Sequence, residues 1–103
     1  MSKRASVTRK TSGNWVMART LHANTIVQLE DGRVGILVRN TGDPKTYWVR
    51  VSYEQAVGIT PTTSILLVAS HIYLAQEWLG KYLKSGPEEQ DLMVQHGKAY
   101  SRS

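Results

Sequence analysis

NTIVQLEDGRVGILVRN, residues 24–40, decides the fold. Two apolar runs flank Asp31-Gly32, a dipeptide that tolerates positive φ at both positions of a tight type I′ turn. A two-residue turn predicts a register in which Glu30 faces Arg33, Leu29 faces Val34 and Val27 faces Ile36. Ile26 then faces Leu37. In that register Val27, Leu29, Val34 and Ile36 share the core face. Ile26, Gln28, Glu30, Arg33, Leu37 and Arg39 share the outer face. The Glu30–Arg33 pair would add a few tenths of a kcal/mol, roughly 0.3.

Working outward, Trp15, Val16 and Met17 predict a short strand before the hairpin. After it, the turn cluster TGDPKT at 41–46 leads into TYWVRVSY at 46–53, where Tyr47, Val49, Val51 and Tyr53 alternate with Trp48, Arg50 and Ser52. EQAVGITPT at 54–62 reads as irregular, since Gly58 and Pro61 interrupt it. TSILLVA at 63–69 is β-branched and continuous, as in a strand buried on both faces. HIYLAQEWLGKYLK at 71–84 has the helical period, with Ser70 as N-cap and Gly86-Pro87 as the stop. Pro87-Glu88-Glu89 opens a shorter helical pattern through Leu92 and Met93.

The expected class is therefore α+β, mainly β: a small antiparallel β-barrel or curled sheet with a C-terminal amphipathic helix. It is SH3-like by analogy of architecture. Three regions are expected: a disordered basic arm at 1–13, the sheet with its packing helix at 14–85, and a C-terminal extension at 86–103.

Charge is unevenly placed along the 103 residues. Net charge is +5, and residues 1–20 hold Lys3, Arg4, Arg9, Lys10 and Arg19 with no acid. Residues 21–85 hold six bases against five acids, and 86–103 hold two against three. A basic end on a near-neutral body is the pattern of a separate binding element or of a solubilising tail. There is no cysteine, which excludes disulfides, cysteine-ligated zinc and a cysteine nucleophile. No apolar h-region follows the basic start. The longest apolar run, Ile65–Ala69, is too short to span a bilayer, so no membrane partner and a cytoplasmic location are expected.

Catalytic patterns are missing from the sequence. His22, His71 and His96 are not spaced at helical intervals for a metal, no glycine-rich phosphate loop precedes a helix, and no acid pair is marked out. The expectation is a protein that is not an enzyme and has no metal or cofactor. Binding surfaces are better marked. Lys3, Arg4, Arg9 and Lys10, set among serines and threonines, suit phosphate contacts, and Arg19 adds to them. On the outer sheet face Arg33, Arg39, Trp48 and Arg50 combine a ring for base stacking with guanidinium groups for phosphate. The competing reading, for a closed barrel, has Trp48 covered by the helix or by the Trp15 segment, with Arg50 pointing past it to solvent. Ile26 and Leu37 on the same face, with Trp78 and Tyr82 at the margin of a wide helical stripe, suit a protein partner instead. The expected function is thus a module that binds nucleic acid (DNA or RNA) or a nucleoprotein. The alternative is a protein–protein assembly unit: an adaptor, an inhibitor of another protein, or a small subunit of a larger particle.

Overall fold

The computed structural model describes residues 14–39, 42–43 and 45–96. The expected arm at 1–13 lies outside them. Six strands and two helices follow in order: β1 (Asn14–Met17), a single 3-10 turn (Ala18–Thr20), β2 (Ile26–Gln28), β3 (Val34–Arg39), β4 (Tyr47–Arg50), β5 (Ala56–Ile59), β6 (Ser64–Ala69), α1 (Ala75–Lys84) and α2 (Pro87–Gln95). The strands form one antiparallel sheet in the order β1-β6-β2-β3-β4-β5. β2 to β5 make a meander, and the late strand β6 inserts between β1 and β2. β1 and β5 are the two ends of the order, so the sheet is not closed into a barrel.

The β2–β3 hairpin forms where Asp31-Gly32 predicts it, but its register is one residue away. Ile26 pairs with Ile36, Val27 with Gly35 and Gln28 with Val34. Gly32 N–H donates to the Leu29 carbonyl at 2.9 Å, and Leu29 N–H donates to the Arg33 carbonyl at 2.8 Å. The loop is therefore Glu30-Asp31-Gly32, closed as a turn and followed by a left-handed residue, Gly32 at φ +99°. A left-handed glycine in a three-residue loop meets the local demands of Asp-Gly as well as the tighter turn does. The shift also separates Glu30 from Arg33 as cross-strand partners. Arg33 instead binds Asp31, Nη2 to Oδ2, at 2.7 Å.

A one-residue slip moves one strand's side chains to the other face relative to its neighbour. Ile26, Val34 and Ile36 consequently lie together, packed against Val68, Ala69, Ile72, Ala75, Trp78, Leu79 and Met93 in the core beneath the helices. Val27, Leu29 and Leu37 lie on the opposite face with Ala18, Tyr47, Val49, Val51 and Ile65. That second core joins residues from both ends of the sheet, which requires the sheet to bend around them. β6 feeds both cores, as its continuous apolar run predicts: Ile65 enters one, Val68 and Ala69 the other. The β2–β6 register shifts between Ile26 and Val27. This bulge lets the sequence neighbours Val68 and Ala69 face the same way.

Two further elements depart from expectation. β5 forms across a segment expected to be irregular. It is an edge strand, where a glycine is tolerated, and Pro61 falls beyond its end. α1 begins at Ala75, with Leu74 rather than Ser70 at its N-cap. The intervening residues are tied to the loop before β2. Ile72 N–H donates to the Asn24 carbonyl at 3.1 Å, and His71 Nδ1 donates to the Ala23 carbonyl at 2.8 Å. Asn24 itself is left-handed, φ 69°. Backbone committed to that tie cannot also start a helix. α2 follows with Pro87 in its first turn, and Glu88 and Glu89 complement the positive end of its dipole. Among the described residues no helix is long and apolar enough to cross a membrane.

Gly35 holds the centre of the sheet. A Cβ there would collide with the Arg50 carbonyl oxygen and stand 2.9 Å from Val49 Cγ1. The obstacle is backbone, which cannot swing aside. Gly35→Ala is therefore expected to lower unfolding free energy by about 2 kcal/mol or more, measured by guanidinium denaturation. A gain from the reduced freedom of the unfolded chain would show that β3 and β4 separate easily.

Candidate functional site

The sheet register sorts the expected surface residues onto two faces. Val38 pairs with Trp48, and Trp48 with Gly58, so these three lie across one row on the helix-bearing face. The next row holds Ile36, Arg50 and Ala56. Leu37 and Arg39 lie on the opposite face, with Val49 and Tyr47. The expected platform of Arg33, Leu37, Arg39, Trp48 and Arg50 is thus divided. Trp48 and Arg50 stay together, and Arg39 is turned away from them.

Trp48 occupies a ledge. It is 40% exposed. Across the row Gly58 has no side chain, and a Cβ there would be 3.1 Å from the Trp48 ring. The indole therefore leans over the β5 backbone. Arg50 is half-buried beside it, and its guanidinium donates to the Tyr53 carbonyl at 3.3 Å. Tyr53 in turn reaches α1, where Gly80 is buried and any Cβ would strike the Tyr53 hydroxyl. The site is thus anchored at both ends, by a glycine on β5 and a glycine on α1.

The other arginines have local roles. Arg39 lies over the Tyr47 ring, with its guanidinium carbon 5.5 Å from the centroid. Arg33 binds Asp31 in an exposed two-pronged contact, Nε at 3.0 Å and Nη2 at 2.7 Å. The Arg33 side-chain hydrogen bonds hold the Asp31 carboxyl below its usual 3.8, and the same contact raises Arg33. Asp43 is lowered in the same way, first by the Thr46 hydroxyl and then by the Lys45 N–H. Arg19 is exposed on the 3-10 turn. Lys3, Arg4, Arg9 and Lys10 lie outside the described residues.

The four residues expected at a protein interface are mostly interior. Ile26 and Leu37 are fully buried, Trp78 is 3% exposed, and only Tyr82 is half-buried. The hairpin register buries Ile26 beneath the helices and Leu37 in the other core. Trp78 faces the sheet and stacks on Tyr82, with ring centroids 5.4 Å apart. Burial raises the Tyr82 phenol, and Asp91 raises it further. Other large apolar side chains reach the surface, among them the neighbours Tyr73 at 92% and Leu74 at 49% in the β6–α1 connection.

The fold also joins His22 and His71, whose rings meet edge-on with centroids 6.3 Å apart. Sequence spacing carried no sign of this pair, because it is closed by the tie from His71 to Ala23. Among the described residues no group of three or more His, Cys, Asp or Glu could hold a metal ion. No family model, curated protein or solved structure matches the chain.

The Asp31–Arg33 contact has a directional consequence. A carboxyl held below its ordinary value stabilises the fold above pH 3.8, and that contribution disappears as pH falls through the lowered folded value. In Arg33→Gln the Asp31 carboxyl is expected to titrate closer to 3.8, followed by NMR. An unchanged Asp31 titration would mean that the turn backbone, rather than Arg33, sets it.

Proposed function

We propose that this protein is a non-enzymatic binding module for nucleic acid, a bent, SH3-like sheet acting in the cytoplasm. The observation that carries the reading is the ledge at Trp48: an exposed indole beside an arginine on a rigid sheet. A base can stack on such a ring, and sequence-tolerant binding of single strands uses this contact. The basic N-terminal segment supplies what the described body lacks. The described residues hold seven Lys or Arg against all eight acids, while Lys3, Arg4, Arg9 and Lys10 stand in a stretch without acids. Phosphate attraction in this scheme comes from the segment, and stacking from Trp48, with Arg50 positioned to meet a neighbouring phosphate.

A second reading, a unit of protein–protein assembly, is favoured by Tyr73 and Leu74. They expose an apolar pair where the chain turns from β6 into α1. The two readings differ in their response to salt, because an apolar contact is insensitive to screening.

Fluorescence anisotropy of labelled single-stranded and duplex oligonucleotides across a salt series tests the proposal. Removing residues 1–12 is expected to reduce the slope of log affinity against log salt by up to about 3, at roughly 0.7 per lost contact to a single strand. Trp48→Ala is expected to weaken single-strand binding about tenfold while leaving that slope unchanged. Absence of binding near 0.1 M salt, or affinity unchanged in both variants, would overturn the reading and turn attention to Tyr73 and Leu74.

A further inference from the structure

The two ends of the sheet are not equivalent. At β1, pairing with β6 and the Ala18 N–H to Thr63 carbonyl bond of 3.0 Å leave the backbone of Trp15 and Met17 pointing outward. That edge is blunted, since the Thr20 hydroxyl donates to the Met17 carbonyl at 2.8 Å and the chain then turns away through the 3-10 turn. At β5, Val51 N–H donates to the Gln55 carbonyl at 3.0 Å, and the β4–β5 register continues without a bulge. Alternation along an antiparallel ladder then directs the backbone groups of Val57 and Ile59 to β4, and those of Ala56 and Gly58 outward. Ala56–Ile59 is short but contains no lysine, proline or bulge, three of the devices that protect an edge.

We propose that β5 is a homodimer interface, at which two copies pair their β5 strands antiparallel about a two-fold axis at Val57. The outward groups are self-complementary in this arrangement. With Val57 opposite Val57 of the second copy, Ala56 falls opposite Gly58 and Gly58 opposite Ala56. Each of these pairings exchanges an N–H and a C=O in both directions. The side chains match on both faces. On the helix-bearing face the row Val38, Trp48, Gly58 continues into Ala56, Arg50 and Ile36 of the second copy. The Trp48 ring already leans over Gly58, so it meets the Ala56 methyl and the Arg50 stem beyond it. On the opposite face the half-buried Val57 side chains cover one another, and Ile59 is covered by Gln55. Glu54 falls opposite Thr60, so the junction opposes no like charges.

The inference does not rest on nucleic-acid binding, although its seam shares Trp48 with the proposed ledge, and it is tested on the protein alone. The strand is short, and the contact belongs to the small, weak class of interfaces, with half-association expected at roughly 0.1 mM. In sedimentation velocity between about 10 μM and about 1 mM, the mass of the full chain is expected to rise from 11.5 kDa toward twice that value. Ala56→Lys places a charge on an exposed edge position without touching either core, and is expected to remain monomeric while unfolding cooperatively. Amide exchange at Ala56 and Gly58 should slow with concentration in the unsubstituted protein and not in the variant. A constant 11.5 kDa across the range would overturn the proposal. So would a mass increase that survives Ala56→Lys with exchange at Ala56 and Gly58 unchanged.

Discussion

The backbone at Gly32 sets where every side chain of the hairpin goes. Its left-handed φ of +99° lets the loop hold Glu30, Asp31 and Gly32, and the loop length fixes Ile26 opposite Ile36. From that pairing follow the rest of the placements. β3 presents Val34 and Ile36 to the helices and Leu37 to the other core. β4, paired to β3, must then present Trp48 and Arg50 on the helix side and Tyr47 and Val49 on the other. The ledge at Trp48 is thus a consequence of a turn one strand pairing away. An L side chain at 32 would carry a strain of about 1 kcal/mol in that conformation, and the register would compete with the tighter alternative.

Glycine serves different ends elsewhere in the sheet. At Gly35 the need is space: the β4 backbone at Arg50 occupies the volume a Cβ would take. At Gly58 and Gly80 the missing side chains make room for Trp48 and for the Tyr53 hydroxyl. These contacts connect the two layers. Arg50 donates to the Tyr53 carbonyl, Tyr53 rests against α1, and α1 buries Trp78 and Leu79 over β3. The aromatic and cationic groups of the ledge are therefore held by the same elements that build the core beneath the helices.

Much of this was readable from residues 24–40, and the part that was not has a specific cause. Asp31-Gly32 located the hairpin, but it satisfies both a two-residue and a three-residue loop. Arbitration between them falls to hydrophobic alternation, and here alternation is silent. Ile26-Val27 and Ile36-Leu37 are adjacent apolar pairs because both sheet faces are buried. A register chosen on the assumption of one wet face therefore put Ile26 and Leu37 outside. β5 was hidden for another reason: Gly58 reads as a strand breaker only when what leans on it, Trp48, is unknown. The start of α1 was misplaced because the tie from residues 71–72 to Ala23 and Asn24 is long-range, and no local pattern encodes it.

Charge and shape are divided between parts of the chain. The described body, with seven bases and eight acids, has almost no net field of its own, and Arg33 is engaged with Asp31. At physiological ionic strength such a body exerts little attraction beyond about 8 Å. Any long-range pull on a polyanion must then originate in the terminal segments, where the unbalanced lysines and arginines are. The body can act only at contact, through groups already desolvated on one side, and Trp48 is the largest of these on the helix-bearing face of the sheet. A partner captured electrostatically and a partner held by shape would thus be handled by separate regions of the chain. Neutralising the ends would change how fast a partner arrives, whereas removing the ring would change how long it stays.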